Sequence, residues 1–467
     1  MSLSRRFLLR NFYVLYRLDQ WVGRRFTPAG KLVITALCVA GLFGIDVHQT
    51  LAYQVFTLAA ALLAFGFLSI PFFRGRFSAA RELPRSVTAG EPFRYVVRLT
   101  NHTSRPQRGL CVRECLRAEA LSSEAFACTE ETPAERRRNV FDRFVGYPRW
   151  AWLMRRQRGA DAPLQSVPEI PPGGTVRVQM SLTALRRGYV RLLGMSVQRT
   201  DPLGLVNAFA PVGAAASLLA LPRRYSLPRL HLPGRPELQS SGADHARARG
   251  LTEEFVALRE YRPGDPLRHL HWPSWARLGQ PVVKEFQGEQ HHRHAVLLDT
   301  RMRYRVSERF EEAVSVAASL VCADATQARL MDLVLAGTQI LRFTAGPGAA
   351  PVERLLEVLA CVEASGHEAF GERREIIAAH LSAAGAAVLV LLDWDAPRRN
   401  LVEHLRRAGI SLLVLVVMDT PASLQAGPMR DQPERLRSLQ SGRIAEGLAS
   451  LSERPPEASP AGAGGSR

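Results

Sequence analysis

Between Leu51 and Phe73 the chain runs without a single charge, LAYQVFTLAAALLAFGFLSIPFF. As a helix rising 1.5 Å per residue, this run reaches about 34 Å, enough to cross a hydrocarbon core. A second uncharged stretch, Leu32 to Ile45, lies just upstream and needs its flanks, Thr27 to Gln49, to span. Asp46 and His48 occupy the short connection. The pattern predicts a hairpin of two antiparallel transmembrane helices with a tight polar turn.

The charges around these runs set an orientation. Arg5, Arg6, Arg10, Arg17, Arg24, Arg25 and Lys31 precede them, and Arg74, Arg76, Arg81 and Arg85 follow. The turn carries neither Lys nor Arg, so the positive-inside rule places both ends in the cytoplasm. A cleaved signal peptide fits poorly, because the charged leader is long and a second apolar run follows directly. Phe7, Phe12, Tyr13, Tyr16 and Trp21 alternate with the leader's arginines, as in a helix lying in the membrane interface. A disordered basic leader is the alternative. The net charge is +18, and residues 1–85 contribute eleven basic against three acidic groups. Lysine occurs only at Lys31 and Lys284, so nearly all 61 basic residues are arginines. Cys38 lies in the first apolar run, and Cys111, Cys115, Cys128, Cys322 and Cys361 show no metal-ligand spacing, which predicts reduced thiols.

Residues 80–210 read as β-structure. Phe93–Leu99 and Leu110–Leu116 alternate apolar and polar, with Asn101–Ser104 as a turn between them. Pro171–Gly174 opens another alternating run at Val176–Met180. Short strands of this kind predict an antiparallel β-sandwich. Glu135 to Arg158 interrupts it with eight arginines, two acidic residues, Trp150 and Trp152. No base-stacking platform accompanies this insertion, so the expectation is lipid contact or a solvated loop, with no nucleic-acid partner.

From about residue 290 apolar strands alternate with helical patterns. His294–Asp299, Ala387–Asp393 and Ser411–Asp419 are strands that end in acids, and Phe310, Val314, Ala317 and Val321 fall at helical spacing. This predicts a mostly parallel sheet covered on both faces, with any site at the carboxyl edge near Asp299, Asp393 and Asp419. The tail from Pro455 is rich in Pro, Ala, Gly and Ser and reads as disordered.

The most informative segment lies between, EFVALREYRPGDPLRHLHWPSWARLGQPVVKEF, at residues 254–286. Its Glu254, Phe255, Arg259, Glu260, Tyr261, Gly264, Asp265, Arg268, Trp272, Ala276, Arg277, Lys284 and Phe286 resemble the signature of the domain of unknown function 58 family. Where many members carry Asp and Ile, this chain has His271 and Leu270. Arg186–Tyr189 and Asp201–Leu205 resemble a second family segment. The residues themselves admit two readings: a salt-bridged loop clamping Trp272 onto the α/β domain, or an Arg- and Trp-rich surface for a protein partner.

The resemblance implies a membrane-anchored multidomain protein of the bacterial inner (cytoplasmic) membrane. Residues 1–76 would form the basic leader and transmembrane helix hairpin, and 77–225 the sandwich with its insertion near 135–158. Residues 226–425 would carry the signature and an α/β, Rossmann-like domain similar to von Willebrand factor A domains. Residues 426–467 would be a helix and disordered tail. Such domains often hold Mg²⁺ through an Asp-x-Ser-x-Ser loop. Here the run is Asp299-Thr300-Arg301-Met302-Arg303, and guanidinium cannot ligate a cation. The expectation is therefore a degenerate site, in which Arg301 or Arg303 neutralises Asp299 or Asp393 in the metal's place. No cofactor is expected.

His269 and His271 fall on one face of a strand-like run, and His291, His292 and His294 follow, without a Cys or HExxH partner. No nucleophile elbow, phosphate loop or dinucleotide fingerprint is present. The resemblance implies a non-enzymatic adaptor that works with a MoxR-type AAA+ ATPase. A metal-dependent hydrolase using Asp299, Asp393 and Asp419 is the alternative.

Overall fold

The computed structural model describes residues 3–43, 50–116, 123–131, 135, 138–228, 253–262, 265, 267–288, 293–325, 330–346, 349–366, 373–419 and 424–452. The chain divides into two compact units, Met1–Arg223 and Arg224–Arg467, with 304–308 and 357–363 grouped with the first.

The first unit opens with α1, Leu3–Arg25, followed by α2, Pro28–Phe43, and α3, Thr50–Ser69. Among the described residues one helical stretch, Leu51–Phe72, is long and apolar enough to cross a membrane. α2 has only 16 residues, which reach about 24 Å at 1.5 Å per residue, short of a 30 Å core. The membrane character shown by the structure therefore rests on one helix, and the connecting turn at Asp46 and His48 lies outside the described residues.

The sandwich has nine strands: β1 Phe77–Glu82, β2 Ser86–Thr88, β3 Pro92–Asn101, β4 Leu110–Leu116, β5 Ala160–Asp161, β6 Gln165–Val167, β7 Thr175–Ala184, β8 Gly188–Thr200 and β9 Asn207–Leu221. One sheet has the order β1-β3-β7-β5 and the other β2-β9-β8-β4-β6. All pairs are antiparallel except β2 with β9. The alternation along β3 and β7 sends Val97, Leu99, Val178, Met180 and Leu182 inward, where they meet Leu110, Val112, Leu192 and Met195 of the other sheet. One charge pair is sealed in this core: Arg81 donates to both oxygens of Glu114 at 2.9 and 2.7 Å, and the Tyr95 hydroxyl donates to Glu114 at 2.6 Å. Burial, reinforced by Glu114, pushes the Tyr95 phenol far up, so it stays protonated and donating.

The insertion departs from expectation. Rather than a solvated loop, Tyr147–Arg158 is a helix bracketed by Gly146 and Gly159, both at positive φ. It buries Trp150, Leu153 and Met154. Trp150 packs against Phe12 and Tyr16 of α1, with ring centroids 5.8 and 5.5 Å apart. Aromatics of the leader and of the insertion thus answer each other across more than a hundred residues, which periodicity cannot reveal.

The α1–α2 link is tied to the β8–β9 turn. Asp201 accepts the N–H groups of Leu203, Leu205 and Val206 at 3.2, 2.6 and 2.7 Å. The turn then presents two carbonyls to Thr27. The Leu205 carbonyl accepts the Thr27 N–H at 3.0 Å, and the Gly204 carbonyl accepts its hydroxyl at 2.5 Å. Gly30 sits against the same turn, and a Cβ there would lie 2.1 Å from the Leu205 carbonyl oxygen.

The second unit contains a hairpin of β10, Glu253–Glu260, and β11, Val282–Gly288. Its main sheet comprises β12 Arg293–Asp299, β13 Leu330–Ala336, β14 Ile340–Ala345, β15 Ala386–Leu391, β16 Ser411–Met418 and β17 Leu436–Gln440, in the order β14-β13-β12-β15-β16-β17. Only β14 is antiparallel. β12, β15 and β16 are buried along almost their whole length, as continuous apolar strands require when helices cover both faces. The sheet extends beyond residue 425, because β17 pairs with β16 and the helix Ile444–Ala449 follows it. The chain leaves β12 toward β13 on one side and returns to β15 on the other, so the carboxyl ends of β12 and β15 flank the switch point of the sheet. The tail from Pro455 lies outside the described residues.

Candidate functional site

Asp299 ends β12 at that switch point and is fully buried. The sequence pointed to Arg301 or Arg303 as its counter-charge. The structure assigns the role to Arg398 instead. Its Nε donates to Asp299 Oδ2 at 2.7 Å, and its Nη2 lies 2.6 Å from the same oxygen. Nη1 donates to Asp395 at 2.7 Å. Arg301 contributes its backbone N–H to Asp299 at 2.9 Å, while its side chain turns away and donates to the Gly337 carbonyl at 3.0 Å. Arg303 is exposed. Asp393 is also exposed and accepts the N–H of Trp394 at 2.8 Å.

Arg398 stands in the first turn of the helix Ala396–Arg407, where Asp395 caps the N-terminus by accepting the Arg398 N–H at 3.1 Å. A cation in a first turn opposes the helix dipole and requires anions nearby. Burial disfavours the Arg398 charge, but Asp299 and Asp395 outweigh it and raise its pKa. Burial likewise pushes the Asp299 carboxyl up, against the pull of Arg398 and of the Arg301 and Leu392 N–H groups. The Asp299 loop, which the family resemblance links to Mg²⁺, does not suit that ion: a guanidinium already holds its carboxylate. Among the described residues no three His, Cys, Asp or Glu side chains gather as a metal group would, and Asp299, Asp393 and Asp419 do not form one.

The same device recurs one strand away. Asp332 of β13 is fully buried and accepts from Arg293 at 2.6 and 3.2 Å, Arg342 at 2.8 Å and Thr344 at 2.6 Å.

The signature segment forms the β10–β11 hairpin, a single 3-10 turn at Leu267–His269 and the helix Trp272–Leu278. Arg259 clamps Asp265 bidentately at 2.7 and 2.8 Å, and the Arg262 N–H adds a bond at 2.8 Å. The Arg259 bond, followed by that N–H, holds the Asp265 carboxyl down at about 2. Tyr261 is fixed through its backbone N–H to the Pro281 carbonyl at 2.9 Å. Glu260 and Arg277 are exposed and Lys284 is half-buried. Gly264 and the side chain of Arg268 lie outside the described residues.

Two expectations for this segment need correction. Trp272 is not clamped into the fold: it is 64% exposed and stacks on Trp275, with ring centroids 5.2 Å apart and planes at 17°. The helix places its tryptophans three residues apart, hence on one side, and Leu270, Val282 and Val283 supply the buried anchor instead. His269 and His271 do not share a strand face. His269 closes the 3-10 turn, and His271 precedes the helix with its Nδ1 2.7 Å from Ser274 Oγ.

Residues 257–429 match the family described as protein of unknown function DUF58. An uncharacterized protein, YeaD, of Bacillus subtilis (strain 168) is 24% identical over 302 residues, 62% of this chain, and the chain spans 64% of that relative's length. Among solved structures, proximal thread matrix protein 1 from the mussel byssus aligns with a TM-score of 0.28 and 11% identity, over 34% of this chain and 46% of that one. The CARDB domain of PF1109 from Pyrococcus furiosus gives 0.15 and 10% identity, over 30% and 95%. Scores this low establish no shared fold. The stretch that matches the DUF58 family model, residues 257–429, includes most of the signature segment and the Asp299–Arg398 pair, and the bacterial relative adds a distant similarity.

Proposed function

We propose that the chain is a membrane-anchored, non-enzymatic adaptor whose second unit presents a docking surface to a protein partner, a MoxR-type AAA+ ATPase. The observation that carries this reading is the exposed Trp272, stacked on the half-buried Trp275 of a short helix beside the hairpin that carries the Arg259–Asp265 clamp. Leu267 and Leu278, each 68% exposed, and the exposed Arg277 lie close by in sequence. Tryptophan and arginine on a rigid support are the residues that dominate protein–protein binding energy, and large apolar side chains gathered in solvent mark such surfaces. The two readings of the segment thus combine: the Arg259–Asp265 clamp is architectural, and Trp272 faces outward over the half-buried Trp275.

In this reading both α2 and α3 cross a bacterial inner membrane, with the N-terminus and both globular units in the cytoplasm. The second unit is a von Willebrand factor A-like domain that keeps the cation position but fills it with Arg398. Partner binding would then be independent of divalent ions. Family resemblance supplies the ATPase, and the patch supplies the place.

The test is co-purification of the full chain from membranes in mild detergent, wild type against Trp272→Ala and Arg277→Ala, with circular dichroism checking the fold. An AAA+ ATPase identified by mass spectrometry with the wild type, and depleted about tenfold or more with the variants, is the expected result. Recovery unchanged by Trp272→Ala, or a partner that requires Mg²⁺ on this chain, removes the reading.

A further inference from the structure

Within the first unit, α1, β4, β9 and the insertion helix line an open hollow of about 530 Å³. Four arginines line it, Arg17, Arg24, Arg25 and Arg158, together with Tyr13, Tyr16 and Trp21, and among the described residues no acidic side chain does. A smaller cavity of about 150 Å³ shares Arg24 and Phe209 with it and adds Arg113. Glu114 also borders the second space, but its carboxylate is consumed by Arg81 and Tyr95.

None of these five arginines forms an ion pair with a described carboxylate. Arg158 donates to the Tyr16 hydroxyl at 2.6 Å. Arg25 donates to the Asn207 carbonyl at 3.2 Å and lies over the rings of Phe67 and Phe209, at 5.9 and 5.7 Å. The Nε atoms of Arg25 and Arg113 are buried without a hydrogen-bond partner. Burial lowers the Arg113 pKa, and the charges of Arg24 and Arg158 lower it further, outweighing the opposing pull of Asp161. Elsewhere in this chain buried charge is answered by charge, as at Glu114, Asp299 and Asp332. Here Arg25, Arg113 and Arg158 are half-buried and Arg17 and Arg24 exposed, so like charges converge on an open hollow whose mutual repulsion an entering anion relieves.

We propose that this hollow binds a phosphate group, presented by the headgroup of an anionic membrane lipid. Guanidinium forks match phosphate oxygens bidentately, which explains arginine in preference to a point charge. The location favours a lipid source. The end of α1 packs on the end of α3 that leaves the apolar run, through Phe26 against Phe67 at 5.6 Å and Trp21 against Phe26 at 5.8 Å. The hollow is therefore level with a membrane boundary, and its tyrosines and tryptophan are the side chains that prefer that depth. This step rests on the membrane reading of α3, whereas the phosphate chemistry does not.

The experiment uses the full chain purified in neutral detergent, as wild type, Arg24→Gln/Arg158→Gln, and Arg94→Gln as a control for one exposed arginine on β3. Binding is read by native mass spectrometry against phosphatidylglycerol and phosphatidylcholine, and by calorimetric titration with inorganic phosphate. Retention of phosphatidylglycerol over phosphatidylcholine, reduced about tenfold or more in the double variant and unchanged in Arg94→Gln, supports the lipid-borne phosphate. Saturable inorganic phosphate binding, lost in the double variant, with no retention of phosphatidylglycerol over phosphatidylcholine, keeps the phosphate site and overturns the lipid source. Equal binding by all three proteins, or none, overturns the site. Carbonate extraction of membranes reads insertion separately, so a failed anchor and a failed phosphate site are distinguishable. Matching thermal melts keep misfolding of the double variant from passing as lost binding.

Discussion

Replacing Arg398 by Met is the sharpest perturbation the second unit offers. Methionine keeps most of the side chain's length and volume, so the packing around the first turn of its helix is largely preserved. What disappears is the guanidinium. Asp299 then loses contacts of 2.7 and 2.6 Å and retains only the Arg301 N–H at 2.9 Å and the Leu392 N–H at 3.4 Å. Because Asp299 is fully buried, no water replaces the lost donors. Removing one partner of a buried pair costs about 3–5 kcal/mol. Asp395 also loses a donor, but its side chain is 35% exposed and water takes over. For a unit of this size 1 kcal/mol corresponds to about 2–4 °C, so the unit's transition is expected to fall by about 6–20 °C in calorimetry of the full chain. Hydrogen exchange of β12 and β15 amides should rise in parallel, locating the loss. Adding Asp299→Asn removes the orphaned charge and should restore at least half of the lost stability. A loss below about 1 kcal/mol for Arg398→Met, or a double variant as unstable as the single one, refutes the pairing argument.

Gly30→Ala drives a methyl into the Leu205 carbonyl, so it should cost about 1–3 kcal/mol and loosen α2 from the sandwich, seen as faster exchange of the Leu205 and Val206 amides. Trp272→Ala should change the melting temperature by about 2 °C or less, because the side chain is exposed, while partner recovery falls; a large stability loss would show that it belongs to the core. The Asp265 carboxyl is held at about 2, below its unfolded value, so its contribution is complete above the ordinary carboxylate range and lost only as pH falls through about 2. Carbon-detected NMR of the Asp265 carboxyl should show no titration between pH 7 and 4, and a normal midpoint would remove the Arg259 clamp. Wild-type melting should not respond to Mg²⁺, whereas a Mg²⁺-dependent rise abolished by Asp299→Ala would restore a metal site.

Local pattern carried a good deal of this architecture. The period-two runs at 93–99 and 176–180 are strands β3 and β7, paired directly, and the apolar runs ending at Asp299 and Leu391 lie side by side in the second sheet. The Asn101 turn was readable from residue type, and its side-chain oxygen accepts the Thr103 N–H at 3.0 Å. Long-range partnerships were not readable. Arg398 lies 99 residues from Asp299, and among so many arginines nothing in its own identity marks it. One clue was available: an arginine directly after Asp-Ala-Pro, in a first helical turn, needs anions that the local sequence only half supplies. The insertion misled for the same reason. Its arginine content suggested a solvent- or lipid-facing segment, but Trp150, Leu153 and Met154 decide its fate by finding the aromatics of α1. The exposure of Trp272 was also hidden, since a tryptophan between His271 and Pro273 reads equally as anchor or as surface.

The tie between Thr27 and the turn at Gly204 also has a consequence in time. The two residues are 177 positions apart, so the ribosome has delivered α1, α2 and α3 long before their seat on β8 and β9 exists. At about 5–20 residues per second the wait is about 10–35 s. During that interval the short helix α2 and the aromatic leader lack the sandwich turn that later ties them down. The chain is thus expected to settle its N-terminal region late, and nascent chains arrested before residue 204 should show Thr27 and Gly30 fully accessible to labelling. Chains released past Leu221, with β9 complete, should protect them.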